Sequence, residues 1–291
     1  MRYRTQLQLM LAPFLVGLLV LVVIPAAGSL AVAFFDYTPL HATRFDWSGL
    51  DQFLALGRDP LFWTAIGNSL IYTAGAVPLR VLGALGLALL LDRRRRGIGV
   101  YRAAIYLPTI IPDVAYALVW LWIFNPQFGP ISQVLRSLHL PPQIWLIDPN
   151  GARAVVILMA AWQVGEGLVV MLAALRDVPP ELYDAALVDG AGPWARLRLI
   201  ILPIIAPTFL LLIFRDTIVS LQENFAPALL VTKGGPHFAT LFLPLKIYID
   251  AFQNFRFGYG AAMIWVLYGV TALIVFLQYL TTRRWSEAAY E

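Results

Sequence analysis

The sequence predicts an all-α integral membrane protein: six transmembrane helices, both termini in the cytoplasm, and a short cytoplasmic helix between helices 4 and 5. Three observations predict it. The 291 residues are 60% hydrophobic and only 13% charged, against roughly 25% charged in soluble domains. Mean hydropathy is +0.73. Six apolar stretches each approach or exceed the roughly 20 residues that a helix needs to cross hydrocarbon. They are too long for strands, and a helix satisfies its backbone hydrogen bonds internally, as lipid requires.

Helix 1 is expected over 9–35. Its apolar run is about twice the length of a secretory h-region and is interrupted by Pro25, so it reads as a retained helix. An extracytoplasmic loop follows to residue 62. Helices 2 and 3 are expected over 64–91 and 103–124, on either side of "DRRRRG" (92–97). Helices 4, 5 and 6 follow over 153–175, 199–224 and 259–281, with a tail over 285–291. Arg2, Arg4, Arg102, Arg176, Arg196, Arg198, Arg283, Arg284 and the arginine run lie on one side. The other side holds Arg44, Arg58, Arg136, Arg153, Lys233, Lys246 and Arg256, spread over longer loops. The positive-inside rule puts the first group, with both termini, in the cytoplasm. Trp47, Phe62, Trp63, Trp145 and Phe255 suit an interfacial belt on the opposite face.

Several function classes drop out. With no cysteine, a disulfide or thiolate metal site is impossible, and His41, His139 and His237 show no metal-ligand spacing. All of the 21 basic residues except Lys233 and Lys246 are arginine. Their places beside apolar runs fit membrane topology better than nucleic acid. No GxxxxGK[ST] loop occurs, so the chain does not cradle a nucleoside triphosphate in that way.

The segment 177–203, between helices 4 and 5, is polar in an apolar chain. "DVPPELYDAALVDG" predicts a short helix, with Asp177 as N-cap and Pro179 and Pro180 in its first turn. Glu181 and Asp184 suit the N-terminal end of the helix dipole, and Gly190 a left-handed stop. Gly192-Pro193 restarts a helix that runs into helix 5. Leu182, Ala185, Ala186 and Asp189 are expected on one face by their spacing.

Asp184-Ala185-Ala186, Gly190, Ile200, Leu202 and Pro203 stand in the register of the EAA loop, and Asp189-Gly190-Ala191 extends it. The segment therefore resembles that loop in binding-protein-dependent ABC importer permeases. Asp184 replaces the usual Glu, and Leu197 sits where Phe is common. The resemblance covers nearly the whole chain. It includes Asn68-Ser69 where Asn-Thr is usual, and "LLVTKGGPHFATLFLPLKIYIDAF" (229–252), which resembles the Thr-x-Gly-Gly-Pro segment of the MalF/UgpA-like carbohydrate importers. It implies a permease core over 63–284. It also implies that Glu181, Asp184, Ala185, Ala186, Asp189, Gly190, Ala191 and Pro203 serve docking to a separate ATPase. The implied partners are a homologous second permease, two ATP-binding subunits carrying ATP and Mg, and an extracytoplasmic solute-binding protein. The implied cargo is a sugar or related polyhydroxylated solute. No chemistry and no cofactor of this chain's own are implied.

Charges at bilayer depth cost about 2.5–3.5 kcal/mol or more, so they face a cavity or a partner. Asp216, Ser220 and Glu223 recur at helical spacing in helix 5, and Gln163 and Glu166 are three apart in helix 4. These five are expected to line a substrate path, since carboxylates and amides suit polyhydroxylated solutes. Arg215, beside Asp216, offers the alternative of a structural ion pair, and Asp113 that of a helix cap. A membrane-embedded transferase or an ion carrier would use the same acids. Neither gives the 177–203 segment a purpose.

Overall fold

A computed structural model describes residues 2–38, 45–92, 96–141 and 144–287. His41, Arg44, the run Arg93–Arg95 and the last residues of the tail lie outside the described residues. The chain is helical almost throughout. Helix α1 (Arg2–Leu18) and α2 (Ile24–Val32) are joined by a π-helical turn, and a small antiparallel pair follows, β1 (Phe35–Tyr37) with β2 (Phe45–Trp47). Then come α3 (Asp51–Arg58), α4 (Pro60–Leu91), α5 (Ile98–Tyr106), α6 (Asp113–Ile123), α7 (Pro130–Ser137), α8 (Pro149–Trp162) and α9 (Gly165–Arg176). The last six are α10 (Pro180–Val188), α11 (Pro193–Arg196), α12 (Leu202–Gln222), α13 (Phe225–Pro227), α14 (Leu243–Tyr248) and α15 (Phe257–Glu287).

Four helical stretches among the described residues are long and apolar enough to cross a membrane: Gln8–Val32, Pro60–Leu91, Pro193–Thr232 and Phe257–Thr282. Two expected spans are broken instead. Helix 3 divides into α5 and α6, which meet at 99°, and helix 4 into α8 and α9, which meet at 43°. If each bent pair is one span, the number rises to six. Proline explains the first break. Pro112 has no N–H to donate, and it pushes Ile111 away from helical backbone. Glycine explains the second. A Cβ on Gly165 would lie 2.8 Å from Tyr106 Cα, so α9 begins where the backbone of α5 approaches too closely for a side chain. The strand pair is a departure from the all-α expectation. Two of the π turns also follow from proline: Leu19–Val23 precedes Pro25, and Leu197–Ile201 precedes Pro203. Widening the turn relieves the clash of the ring with the carbonyl four residues back.

The chain forms two compact units. One takes in the described parts of Met1–Trp63 with Lys246–Tyr268. In it Phe34 stacks on Trp47, and Trp265 Nε1 donates to Ser29 Oγ at 3.2 Å. Buried Lys246 bridges Asp59 at 2.8 Å and Asp250 at 3.0 Å, and Tyr259 donates to Asp59 at 2.7 Å. Burial pushes the Asp59 carboxyl up, but the hydrogen bonds from Lys246 and Tyr259 outweigh it and hold the carboxyl below its ordinary range.

The second unit takes in the described parts of Thr64–Leu245 with Gly269–Glu291. Its larger core joins Val77, Val81, Ala84 and Ala88 of α4 to Leu168, Met171 and Leu175 of α9, and to Ile205 and Leu212 of α12. Lipid tails are as apolar as leucine, so such packing rests on close contact rather than on escape from water. Gly167 supplies it: a Cβ there would lie 3.0 Å from Ala84 Cβ. A second core packs Tyr116 and Trp120 of α6, and Phe124 at its C-cap, on Val155 and Met159 of α8. The Asn68-Ser69 pair ties α4 to the Gly-Gly-Pro segment. Asn68 Nδ2 donates to the Phe238 and Leu241 carbonyls at 2.6 and 3.2 Å, and Ser69 Oγ accepts from the Leu243 amide at 2.9 Å.

Candidate functional site

Two groups of expected site residues lie in the second unit. The first is α10 with its flanks. Asp177 does not cap α10; it is the C-cap of α9, and Pro179 occupies the N-cap position with Pro180 at N1. The reason is local. Val178 belongs to the buried core, and the extended backbone of Pro179 separates the two helices. Gly190 is left-handed, with φ 72°. Its amide donates to the Leu187 carbonyl at 3.1 Å and the Ala191 amide to the Ala186 carbonyl at 2.8 Å. That is a Schellman stop. Gly192 is extended and Pro193 opens the helix that continues through the π turn and Pro203 into α12.

The expected face of α10 is divided. Ala186 is buried and Tyr183 packs against the core, one turn apart on the inward side. Burial, and then the nearby Asp92 carboxylate, push the Tyr183 hydroxyl above its ordinary range. Glu181, Leu182, Asp184, Ala185 and Asp189 remain exposed. Ala186 therefore belongs with Tyr183 and not with Leu182, Ala185 and Asp189.

The second group surrounds a cavity of about 140 Å³ between α4, α6, α8, α9 and α12. Gln163, Glu166, Ser220 and Glu223 line it, joined by Tyr72, Arg80, Thr109, Asp113, Tyr116 and Arg215. Gln163 and Glu166 do not share one helical face, because Gln163 is the C-cap of α8 and Glu166 lies in the first turn of α9. The break itself brings both to the wall. Asp216 is not on the wall. It is buried beside it, 2.9 Å from Arg215 and 3.8 Å from Arg80. Arg215 also donates to Glu166. Two arginines and two carboxylates thus form one chain of ion pairs from α4 through α12 to α9. Asp113 sits in the first turn of α6, preceded by Pro112 at the N-cap. Tyr116 donates to the Met159 carbonyl at 2.6 Å, fixing α6 on α8 beside the cavity.

Arg80 is the charged lining residue that sequence reasoning missed, and Tyr72, Thr109 and Tyr116 escaped it too. Its signal was present: an arginine in the middle of the apolar run "VPLRVLG" (77–83) needs a partner at that depth.

Residues 80–287 match the family described as "Binding-protein-dependent transport system inner membrane component". The chain belongs to this family. It is 34% identical over 280 residues to the probable ABC transporter permease protein YesP of Bacillus subtilis, with 94% of this chain and 89% of that one covered. It is 30% identical over 278 residues to the sulfoquinovosyl glycerol transport system permease protein SmoG of Agrobacterium fabrum, covering 94% and 90%. Among solved structures it is similar to a chain of a bacterial alginate ABC transporter, crystallised with an alginate pentasaccharide-bound periplasmic protein. The TM-score is 0.83 and the identity 25%, over 98% of this chain and 96% of that one. The chain is thus a multi-pass membrane permease of a binding-protein-dependent ABC importer.

Proposed function

We propose that this permease forms half of the pathway by which a sugar or related polyhydroxylated solute enters the cell across the inner membrane. The observation that carries the reading is the polar cavity inside an apolar helical body, lined by Gln163, Glu166, Ser220 and Glu223. Hydroxyl-rich solutes match carboxylates and amides, which accept and donate several hydrogen bonds at once. The carbohydrate class also rests on the names of the relatives, one a sulfoquinovosyl glycerol permease and one an alginate transporter.

In this reading six spans cross the membrane, each bent pair counting as one, with both termini in the cytoplasm. Residues 1–62 add a first helix and outer loop to a permease core over 63–284, with the tail 285–291 beyond it. A homologous second permease completes the pathway, and an extracytoplasmic binding protein delivers the solute. Two ATPase subunits bind ATP and Mg and do the hydrolysis; this chain does none. They dock on the outward side of α10, at Glu181, Asp184, Ala185 and Asp189. Ala186, Gly190, Ala191 and Pro203 hold that helix in place. Closure of the ATPases moves α10, and the pathway turns from one side of the membrane to the other.

The test is purification in mild detergent with mass spectrometry of the retained subunits, followed by sugar uptake in vesicles. A P-loop ATPase, a second permease and an exported binding protein are expected to come with the chain. Recovery of the chain alone, or only with itself, would refute the reading.

A further inference from the structure

The cavity has a charge pattern that the residue types alone do not reveal. Two arginines and three carboxylates line it, with a fourth carboxylate, Asp216, behind the wall. Both arginines are committed. Arg215 is held between Glu166 and Asp216, and Arg80 faces Asp216 at 3.8 Å. The two remaining carboxylates, Asp113 and Glu223, are exposed and have no cation partner among the described residues. The same wall also carries an unmatched hydrogen-bonding group. Ser220 is 2% exposed, and its Oγ has no hydrogen-bond partner among the described residues. Asn224, one turn on, likewise has its Oδ1 buried without a partner. An unsatisfied buried hydroxyl costs free energy that a donating or accepting ligand recovers.

From this pattern we infer that the permease passes uncharged or cationic polyhydroxylated solutes, and that its cavity disfavours sulfonated, phosphorylated or carboxylated ones. Hydroxyls of a neutral sugar bond to Asp113, Glu223 and Ser220. An amine on the ring pairs with either carboxylate. An anionic group finds no uncommitted arginine and meets two like charges in a cleft with low-dielectric walls, where their field is focused. The inference rests on this cavity being part of the solute path.

The experiment needs no knowledge of the solute. The chain has no cysteine, so Val219→Cys places its single thiol on the cavity wall. The assembled importer in membrane vesicles is treated with cationic, anionic and neutral methanethiosulfonates, and modification is read from the mass of this chain. Rates are normalised to those of a free thiol in solution. The cationic reagent is expected to outpace the anionic one by about tenfold or more. The preference is expected to fall toward parity in Asp113→Asn/Glu223→Gln. Parity in the parent, or a preference for the anion, overturns the charge inference and leaves the path standing. A preference that persists in the double variant overturns the assignment to these two acids. Failure of all three reagents at Val219→Cys and at Ser220→Cys alike removes the water-reached cavity, and with it the path and the inference together.

Discussion

Asp216→Ala separates a structural role from a surface one inside the same ion-pair chain. Asp216 is 4% exposed and lies against two guanidiniums. Arg80 is itself 8% exposed and has Asp216 as its only carboxylate among the described residues. Removing the acid strands a buried arginine, and breaking a buried pair from one side costs about 3–5 kcal/mol. Arg215 and Glu166 are each more than a third exposed, and an exposed pair contributes only about 0–1 kcal/mol. Glu166→Gln is therefore the control. The assay is thermal unfolding in mild detergent, followed by tryptophan fluorescence and checked by size exclusion. At roughly 2–4 °C per kcal/mol for a chain of this size, Asp216→Ala is expected to lower the midpoint by on the order of 10 °C. Glu166→Gln is expected to shift it by a few degrees at most. Arg80→Met/Asp216→Leu removes both charges and should recover most of the loss, because an apolar pair of similar volume is near neutral in such a place. If Asp216→Ala were no less stable than Glu166→Gln, or the double variant fell below the single one, the buried-pair reasoning would be refuted.

Other expectations follow from particular contacts. Gly165→Ala should lower the unfolding midpoint, because its Cβ would meet Tyr106 Cα at 2.8 Å and the Ile105 carbonyl at 3.0 Å; overpacking of this kind costs about 1–3 kcal/mol. Gly190→Ala puts a Cβ at φ 72° and should cost about 1–2 kcal/mol. Faster amide exchange over 187–192, with the membrane helices unchanged, would be its signature. The Asp59 carboxyl titrates below its ordinary range. Its stabilising contribution is thus fully present above the unfolded value of about 3.9 and is lost as pH falls through the lower folded one. Thermal stability should drop more steeply below about pH 4 in the parent than in Asp59→Asn; equal slopes would contradict this. Asp184→Lys should leave the chain inserted but abolish uptake and solute-stimulated ATP hydrolysis. Normal uptake would show that the ATPase does not read that position.

Much of this architecture was legible because membranes enforce it. A long apolar run has few alternatives to a helix, and Gly190 and Gly192-Pro193 punctuate α10 where turn chemistry says they should. Less visible were the breaks. Pro112 signalled the first, but the second depends on the approach of Gly165 to α5, which is tertiary information. The polar stripes were legible as residues but not as geometry. Gln163 reaches the cavity through a helix end and not along a helical face, and Asp216 of α12 turns to Arg80 of α4, a partner far away in the chain. Ala186 misled for a related reason. Its spacing fits two faces of α10, and its burial on the side of Tyr183 decides between them.

The 43° break at Gln163 and Val164 sets a ratio of movements. Below it α9 runs 12 residues to the start of the α10 segment, a rod of about 18 Å at 1.5 Å per residue. If that rod pivots at the break, a tilt of only ~10° carries its far end through about 3 Å. The pivot lies in the cavity wall, where Gln163 and Glu166 straddle it. A displacement of about one bond-contact distance at α10 therefore reorients the groups on the wall without stretching the helix between them. In the proposed transport cycle, the two residues of irregular backbone at Gln163 and Val164 would make α9 a lever, short on the solute side and long on the α10 side.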